Sequence, residues 1–152
     1  MQLASPRRDR LPQPRTAIAI VAAAFVSAPA LAQTSDIRGE WQTGGKAIVR
    51  IEECGKFLCG RILDFKPPRG MTKATTVDGY NPDKSKRRRK ILGLQILTGL
   101  KPANTVWTGT AYDPERGITA DVTVSKKGNI LSLRGCIRII FELCETDTWR
   151  RP

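Results

Sequence analysis

The 152-residue chain contains no histidine. Its absence removes the side chain most often used for proton transfer near neutral pH. With it go the Ser-His-Asp triad, the Cys-His dyad and any imidazole-ligated metal. There is no Cys-x-x-Cys pair, which argues against dithiol redox chemistry, and the spacings Cys-x4-Cys and Cys-x7-Cys are not those of a zinc ribbon. Acidic residues are few, 14 against 26 Lys and Arg. The nearest approach to a carboxylate pair is Glu52 and Glu53 with Asp64. Neighbouring Glu residues on a strand point to opposite faces, so they cannot act together as acid and base. No enzymatic activity, cofactor or metal is expected. The chain also lacks any amphipathic helical pattern of useful length.

One apolar run is present, near the N-terminus. Arg7, Arg8, Arg10 and Arg15 precede or open it, Thr16 to Val26 carries it, and Ala30-Leu31-Ala32 offers a small-residue cleavage site. The run is too short to cross about 30 Å of hydrocarbon. Together these parts read as a signal peptide over residues 1–32, leaving a single domain over residues 33–152. No Cys follows the cleavage site, so lipid attachment there is excluded. Asp9-Arg10 after Arg7-Arg8 departs from a twin-arginine signal. Removing four Arg and one Asp with the leader leaves 22 basic and 13 acidic residues, a net charge of +9. A periplasmic or secreted protein of this charge is expected to meet anionic envelope components rather than nucleic acid. No transmembrane span is expected after the leader is removed.

Cysteine use agrees with export. Four Cys allow three pairings. The expected one is local, Cys54 with Cys59 and Cys136 with Cys144, each small loop stabilising by roughly 2–3 kcal/mol in the chain-entropy model.

The rest of the chain reads as short strands. Ala47, Val49 and Ile51 alternate with Ile48, Arg50 and Glu52, and Phe57 to Phe65 answers across Gly55-Lys56, with Phe57, Cys59, Leu63 and Phe65 on one face. Ile118 to Ser125 alternates cleanly and turns at Lys127-Gly128-Asn129 into Ile130 to Cys136. Gly39 to Thr43, Gly93 to Leu100, Val106 to Tyr112 and Thr146 to Arg151 complete the set. About eight strands joined by hairpins predict an all-β, antiparallel up-and-down barrel, since an open meander would leave two exposed edges. Lys66 to Lys90 is the exception, a long basic loop with one helical turn expected near Pro82 to Arg87. The inward set is expected to include Val49, Ile51, Leu63, Val122, Val124 and Leu133.

The chain ends suggest how the barrel closes. Gly39-x-Trp41 opens the first strand and Trp149-Arg150 lies on the last, so Arg150 is expected to stack on the indole of Trp41. This resembles the closure of lipocalins. Further pieces run in order: Gly39-Glu40-Trp41, the run IEECGKFLCGRI from Ile51 to Ile62, Asp78-x-x-Asn81-Pro82, and Arg89-x-Ile91-Leu92-Gly93-Leu94. Then come Trp107-x-Gly109-x-x-Tyr112-Asp113-Pro114-x-x-Gly117, Leu133-Arg134-Gly135-Cys136 and Thr148-Trp149-Arg150. Over residues 37–151 the chain resembles the DUF2147 family of small secreted bacterial proteins. The resemblance implies a lipocalin-like barrel and carries no established activity. The chain departs from the family pattern at Lys84 to Lys90, where six of seven residues are basic.

Asp78, Asn81 and Asp83 offer oxygens to a cation, but their spacing is not an EF-hand's, and Asn and Asp beside Pro are expected to cap a turn. Trp107, Tyr112 and Phe141 are expected in the core rather than in a ligand pocket. Lys84, Lys86, Arg87, Arg88, Arg89 and Lys90 form a candidate anionic-surface site, expected to be hydrated and extended. Two functions follow. One is binding of a small apolar ligand inside the barrel, and the other is an envelope interaction through the basic loop. The packing of the barrel axis discriminates between them.

Overall fold

The computed structural model describes residues 34–152, and the expected signal peptide and its cleavage site lie outside the described residues. Eight strands follow one another among the described residues: β1 (Gly39–Gln42), β2 (Ile48–Cys54), β3 (Phe57–Asp64), β4 (Gln95–Ala103), β5 (Val106–Asp113), β6 (Ile118–Lys127), β7 (Ile130–Arg138) and β8 (Glu142–Arg150). Each pairs antiparallel with its neighbour in sequence, and β8 returns to β1, so the sheet closes into an up-and-down barrel. The period-two pattern explains the walls. Val122 and Val124 of β6 are buried opposite Gly135 and Leu133 of β7, while Thr123 and Ser125 face outward.

The buried side chains form one cluster along the axis. Trp41, Val49, Ile51, Leu58, Ile62, Leu97, Leu100, Val122, Val124, Leu131, Leu133 and Trp149 all belong to it. Burial of each aliphatic member contributes roughly 1.5–3 kcal/mol relative to exposure. Leu63 is not among them, contrary to the sequence-based expectation. The inward residues of β3 are Leu58, Gly60 and Ile62, which pair with Glu53, Ile51 and Val49 of β2. Gly60 breaks the apolar alternation because a Cβ there would lie 2.9 Å from a Leu97 methyl. The pattern is interrupted where the wall is most closely packed.

Closure differs from expectation in one residue. Arg151, not Arg150, lies over the Trp41 ring, its guanidinium carbon 3.9 Å from the ring centre. Strand alternation is the reason. Trp149 faces inward and is buried, so Arg150 points out beside Gln42, and Arg151 returns to the inner side. Its guanidinium donates to the carbonyls of Glu40 (3.1 Å) and Arg38 (2.9 Å). Gly39 leaves room for it, since a Cβ there would collide with Arg151 Nη1. Residues 34–38 cross this end of the barrel. The Thr34 hydroxyl donates to Asn104 O, Trp107 Nε1 to Ser35 O (2.9 Å) and Lys126 Nζ to Asp36 O (2.8 Å). Fully buried Ile37 plugs the end, its carbonyl accepting from Trp41 Nε1 at 2.8 Å.

Both local disulfides are formed, Cys54 to Cys59 with Cα atoms 5.8 Å apart and Cys136 to Cys144 at 4.1 Å. The odd-numbered strands all finish at the opposite end from Ile37. That end therefore carries the β1–β2, β5–β6 and β7–β8 turns and the long β3–β4 loop.

Candidate functional site

The β3–β4 loop, residues 65–94, is built around Asp78. Its two arms are zipped together by a bridge between Val77 and Lys90, by Asp78 N donating to Arg89 O (2.9 Å) and by Ile91 N donating to Thr76 O (3.2 Å). The Asp78 carboxylate is fully buried. It accepts from the Tyr112 hydroxyl at 2.6 Å, from Asn81 Nδ2 at 2.8 Å and from Arg89 Nη2 at 2.8 Å. Asn81 Nδ2 also donates to the Tyr112 oxygen at 3.0 Å. Burial alone would raise the Asp78 pKa, but bonds from Tyr112, Arg89 and Asn81 outweigh it and hold the carboxyl below its ordinary value. Tyr112 is pushed up to about 12, by burial first and then by the adjacent carboxylate.

The rest of the loop hangs from this hub. Asp83 caps a 3-10 turn, Lys84–Lys86, accepting from Ser85 N at 3.0 Å, and its own N donates to Asn81 Oδ1 at 2.9 Å. The hydrogen bonds from Ser85 bring Asp83 down to about 2. Arg87 Nε donates to Asn81 O at 2.7 Å, and Lys86 pairs with Asp83 at 3.0 Å. The turn reading of Asp78, Asn81 and Asp83 thus describes their bonds, and the Asp78 oxygens are occupied by N–H and O–H donors.

The basic run is therefore exposed but not extended, which corrects the expectation. Arg89 anchors the loop to Asp78, Arg87 braces its turn, and Lys86 is paired. Lys84, Arg88 and Lys90 have no ion-pair partner among the described residues. Two open depressions lie beside the run. One, of about 440 Å³, is lined by Arg61, Arg89, Lys90, Leu92, Gly93, Leu94 and Gln95. The other, of about 260 Å³, runs past Asn81, Asp83, Lys86, Arg89, Gln95 and Tyr112. They meet at Arg89 and Gln95, and of the buried core cluster only Leu94 is among their lining residues.

The other candidates are dispersed. Trp107 packs on the core near Ser35, Tyr112 serves Asp78, and Phe141 is 71% exposed on the β7–β8 turn. Glu52, Glu53 and Asp64 pair separately with Arg61, Arg38 and Lys73. Sequence reasoning missed the partnership of Tyr112 with Asp78 and the contribution of Arg61 and Gln95. The Asp-x-x-Asn-Pro spacing marked one half of that hub.

No curated protein matches the chain. Among solved structures, a protein from the human pathogen Helicobacter pylori, described as belonging to the lipocalin family, aligns with a TM-score of 0.65 and 23% sequence identity. The alignment covers 78% of this chain and 84% of that one. At that identity the likeness concerns the fold, and the barrel is lipocalin-like. Residues 39–151 match a family described as "Uncharacterized protein conserved in bacteria". The strands, both disulfides and the Asp78 loop all fall within that span, and the chain belongs to the DUF2147 family.

Proposed function

We propose that the protein is an exported, non-enzymatic binding protein of the cell envelope that holds anionic groups in the cleft beside Arg89. One observation carries the reading: the two depressions converge on Arg89 and add Arg61, Lys86 and Lys90. The carboxylates there are already engaged, Asp78 by three donors and Asp83 by Ser85 and Lys86. The expected leader, the two disulfides and the net positive charge support a place outside the cytoplasm. A small apolar ligand inside the barrel is the second reading, supported by the lipocalin-like fold. Val122, Val124, Leu131, Leu133 and Trp149 would have to move to admit it, because they fill the axis.

The test is titration of the processed protein with dextran sulfate, a soluble polyanion, at low and high salt. Lys84→Ser/Arg88→Ser/Lys90→Ser removes three cations that have no ion-pair partner among the described residues, Lys90 lining the cleft and the other two on the same loop. Near a polyanion each contributes about 1 kcal/mol, or about fivefold, at low salt. With three cations removed, binding should fall by about a hundredfold while the melting temperature stays put. Indifference of the wild type to dextran sulfate at low ionic strength would refute the reading.

A further inference from the structure

The β7–β8 hairpin ends in three consecutive apolar side chains that touch nothing in the core. Ile139, Ile140 and Phe141 are 80%, 93% and 71% exposed, and Leu143 is 51% exposed. Such a tip is costly in water and invites aggregation, so its retention calls for a partner. It is also held firmly. Cys136 and Cys144 are directly paired across the two strands and joined just below it, Arg138 pairs with Glu142 at 3.4 Å, and Ile139 N donates to Phe141 O at 3.3 Å. The hairpin stands clear of β1, which pairs with β8 only between Gln42 and Arg150.

From this geometry we infer that the hairpin tip inserts into the interfacial layer of an anionic lipid bilayer, with the basic loop lying on the headgroups. The electrostatic half of this rests on the proposed function, and the apolar tip is an observation of its own. Topology and contacts put the tip and the loop on one barrel end. Both follow odd-numbered strands. The loop meets the β5–β6 turn where a Cβ on Gly117 would collide with Tyr80 O, and Arg116 of that turn reaches Glu145 of β8 at 2.8 Å. The nearest hairpin carboxylates are neutralised, Glu142 by Arg138 and Glu145 by Arg116. Glu115 of the β5–β6 turn has no ion pair among the described residues, but Lys84, Arg88 and Lys90, likewise unpaired, outnumber it and leave this end basic. A narrow convex wedge suits lipid, which parts around it. A protein partner of standard size needs about 800 Å² of matched surface on each side. Apolar insertion and cation attraction together are what hold peripheral proteins on anionic membranes.

The experiment is co-sedimentation of the processed, oxidised protein with phosphatidylcholine vesicles, with and without phosphatidylglycerol. Wild type should bind the phosphatidylglycerol vesicles. Ile140→Ser/Phe141→Ser should weaken that binding by at least about tenfold at every salt concentration, because it removes burial and leaves the charge unchanged. Lys84→Ser/Arg88→Ser/Lys90→Ser should weaken it at low salt only. As an independent readout, Phe141→Trp should show a blue-shifted emission on vesicle addition that brominated lipid quenches. Vesicle binding that the tip variant leaves intact, or an emission from the Phe141→Trp variant that does not respond to vesicles, overturns insertion while leaving the anion-binding reading standing. Unchanged binding of dextran sulfate by the loop variant instead overturns that reading. Self-association abolished by the tip variant, with no vesicle binding, assigns the tip to a second copy and also overturns the inference.

Discussion

Tyr112→Phe should destabilise the barrel more than removal of the formal charge at Arg89, and the structure says by how much. The phenol supplies the shortest of three side-chain bonds to a carboxylate that has no solvent contact. Hydrogen bonds to charged groups contribute about 1.5–3 kcal/mol. Asn81 also loses an acceptor, but its amide keeps the bond to Asp78 at 2.8 Å, so little is added there. The expected cost is about 2 kcal/mol. For a domain of this size that lowers the melting temperature by roughly 8 °C. Arg89 is different. Its side chain is 43% exposed, so the ion pair is partly screened and water can solvate what remains. Arg89→Gln is expected to cost about 1 kcal/mol or less. The assay is reversible thermal unfolding at pH 7 followed by far-ultraviolet circular dichroism. A drop below about 2 °C for Tyr112→Phe, or a larger drop for Arg89→Gln, would refute the view that Asp78 is held chiefly from the buried side.

Arg151→Ala should cost about 0.5–2 kcal/mol and shift tryptophan emission, while Arg150→Ala should change neither; denaturant titration of both variants, followed by fluorescence, decides it. Peptide mapping without reduction should recover Cys54 joined to Cys59 and Cys136 joined to Cys144, and a Cys54–Cys136 peptide would contradict the structure. Stability should also depend on pH at both extremes. The depressed Asp78 contributes stability above its unfolded value of 3.8, and this is lost as the pH falls through the lower folded value. The raised Tyr112 contributes below 10.0, and its share is lost between there and about 12. Melting temperatures across the pH range should show the alkaline fall in the wild type and a shallower one in Tyr112→Phe.

The walls of the barrel were legible because period-two alternation is a local property. Ile118 to Ser125 shows it without interruption, and β6 follows it. It failed at β3 because Gly60 presents no side chain to read, so the phase of Leu58 and Ile62 was hidden between more visible neighbours. The closure was half legible. Gly39 and Trp41 announced it, but choosing between Arg150 and Arg151 required knowing that Trp149 faces inward. The Asp78 hub was legible only in its local half. Asn81 lies three residues away, whereas Tyr112 lies 34 away on a strand whose position depends on the whole sheet. The basic run misled for a related reason. Like charges in sequence suggest mutual repulsion, but Arg89 had a buried acceptor that only the fold supplies.

The seam between β1 and β8 gives the chain an order of events. Apart from the β3–β4 loop, the wall elsewhere is made of hairpins that each strand can form with the one just before it, so most of the sheet can assemble as the chain appears. The seam cannot. Arg151 reaches back 111 residues to Glu40, and only Gln42 and Arg150 pair across the gap. A chain emerging N-terminus first must therefore keep Trp41 without its cation until the last two residues have arrived. Loop closure over such a distance is slow to complete and gains little from local structure. The final turn of the key lies in Arg151, and a chain shortened by those two residues would keep all eight strands and the Gln42–Arg150 pair yet leave Trp41 without the cation that clamps the seam.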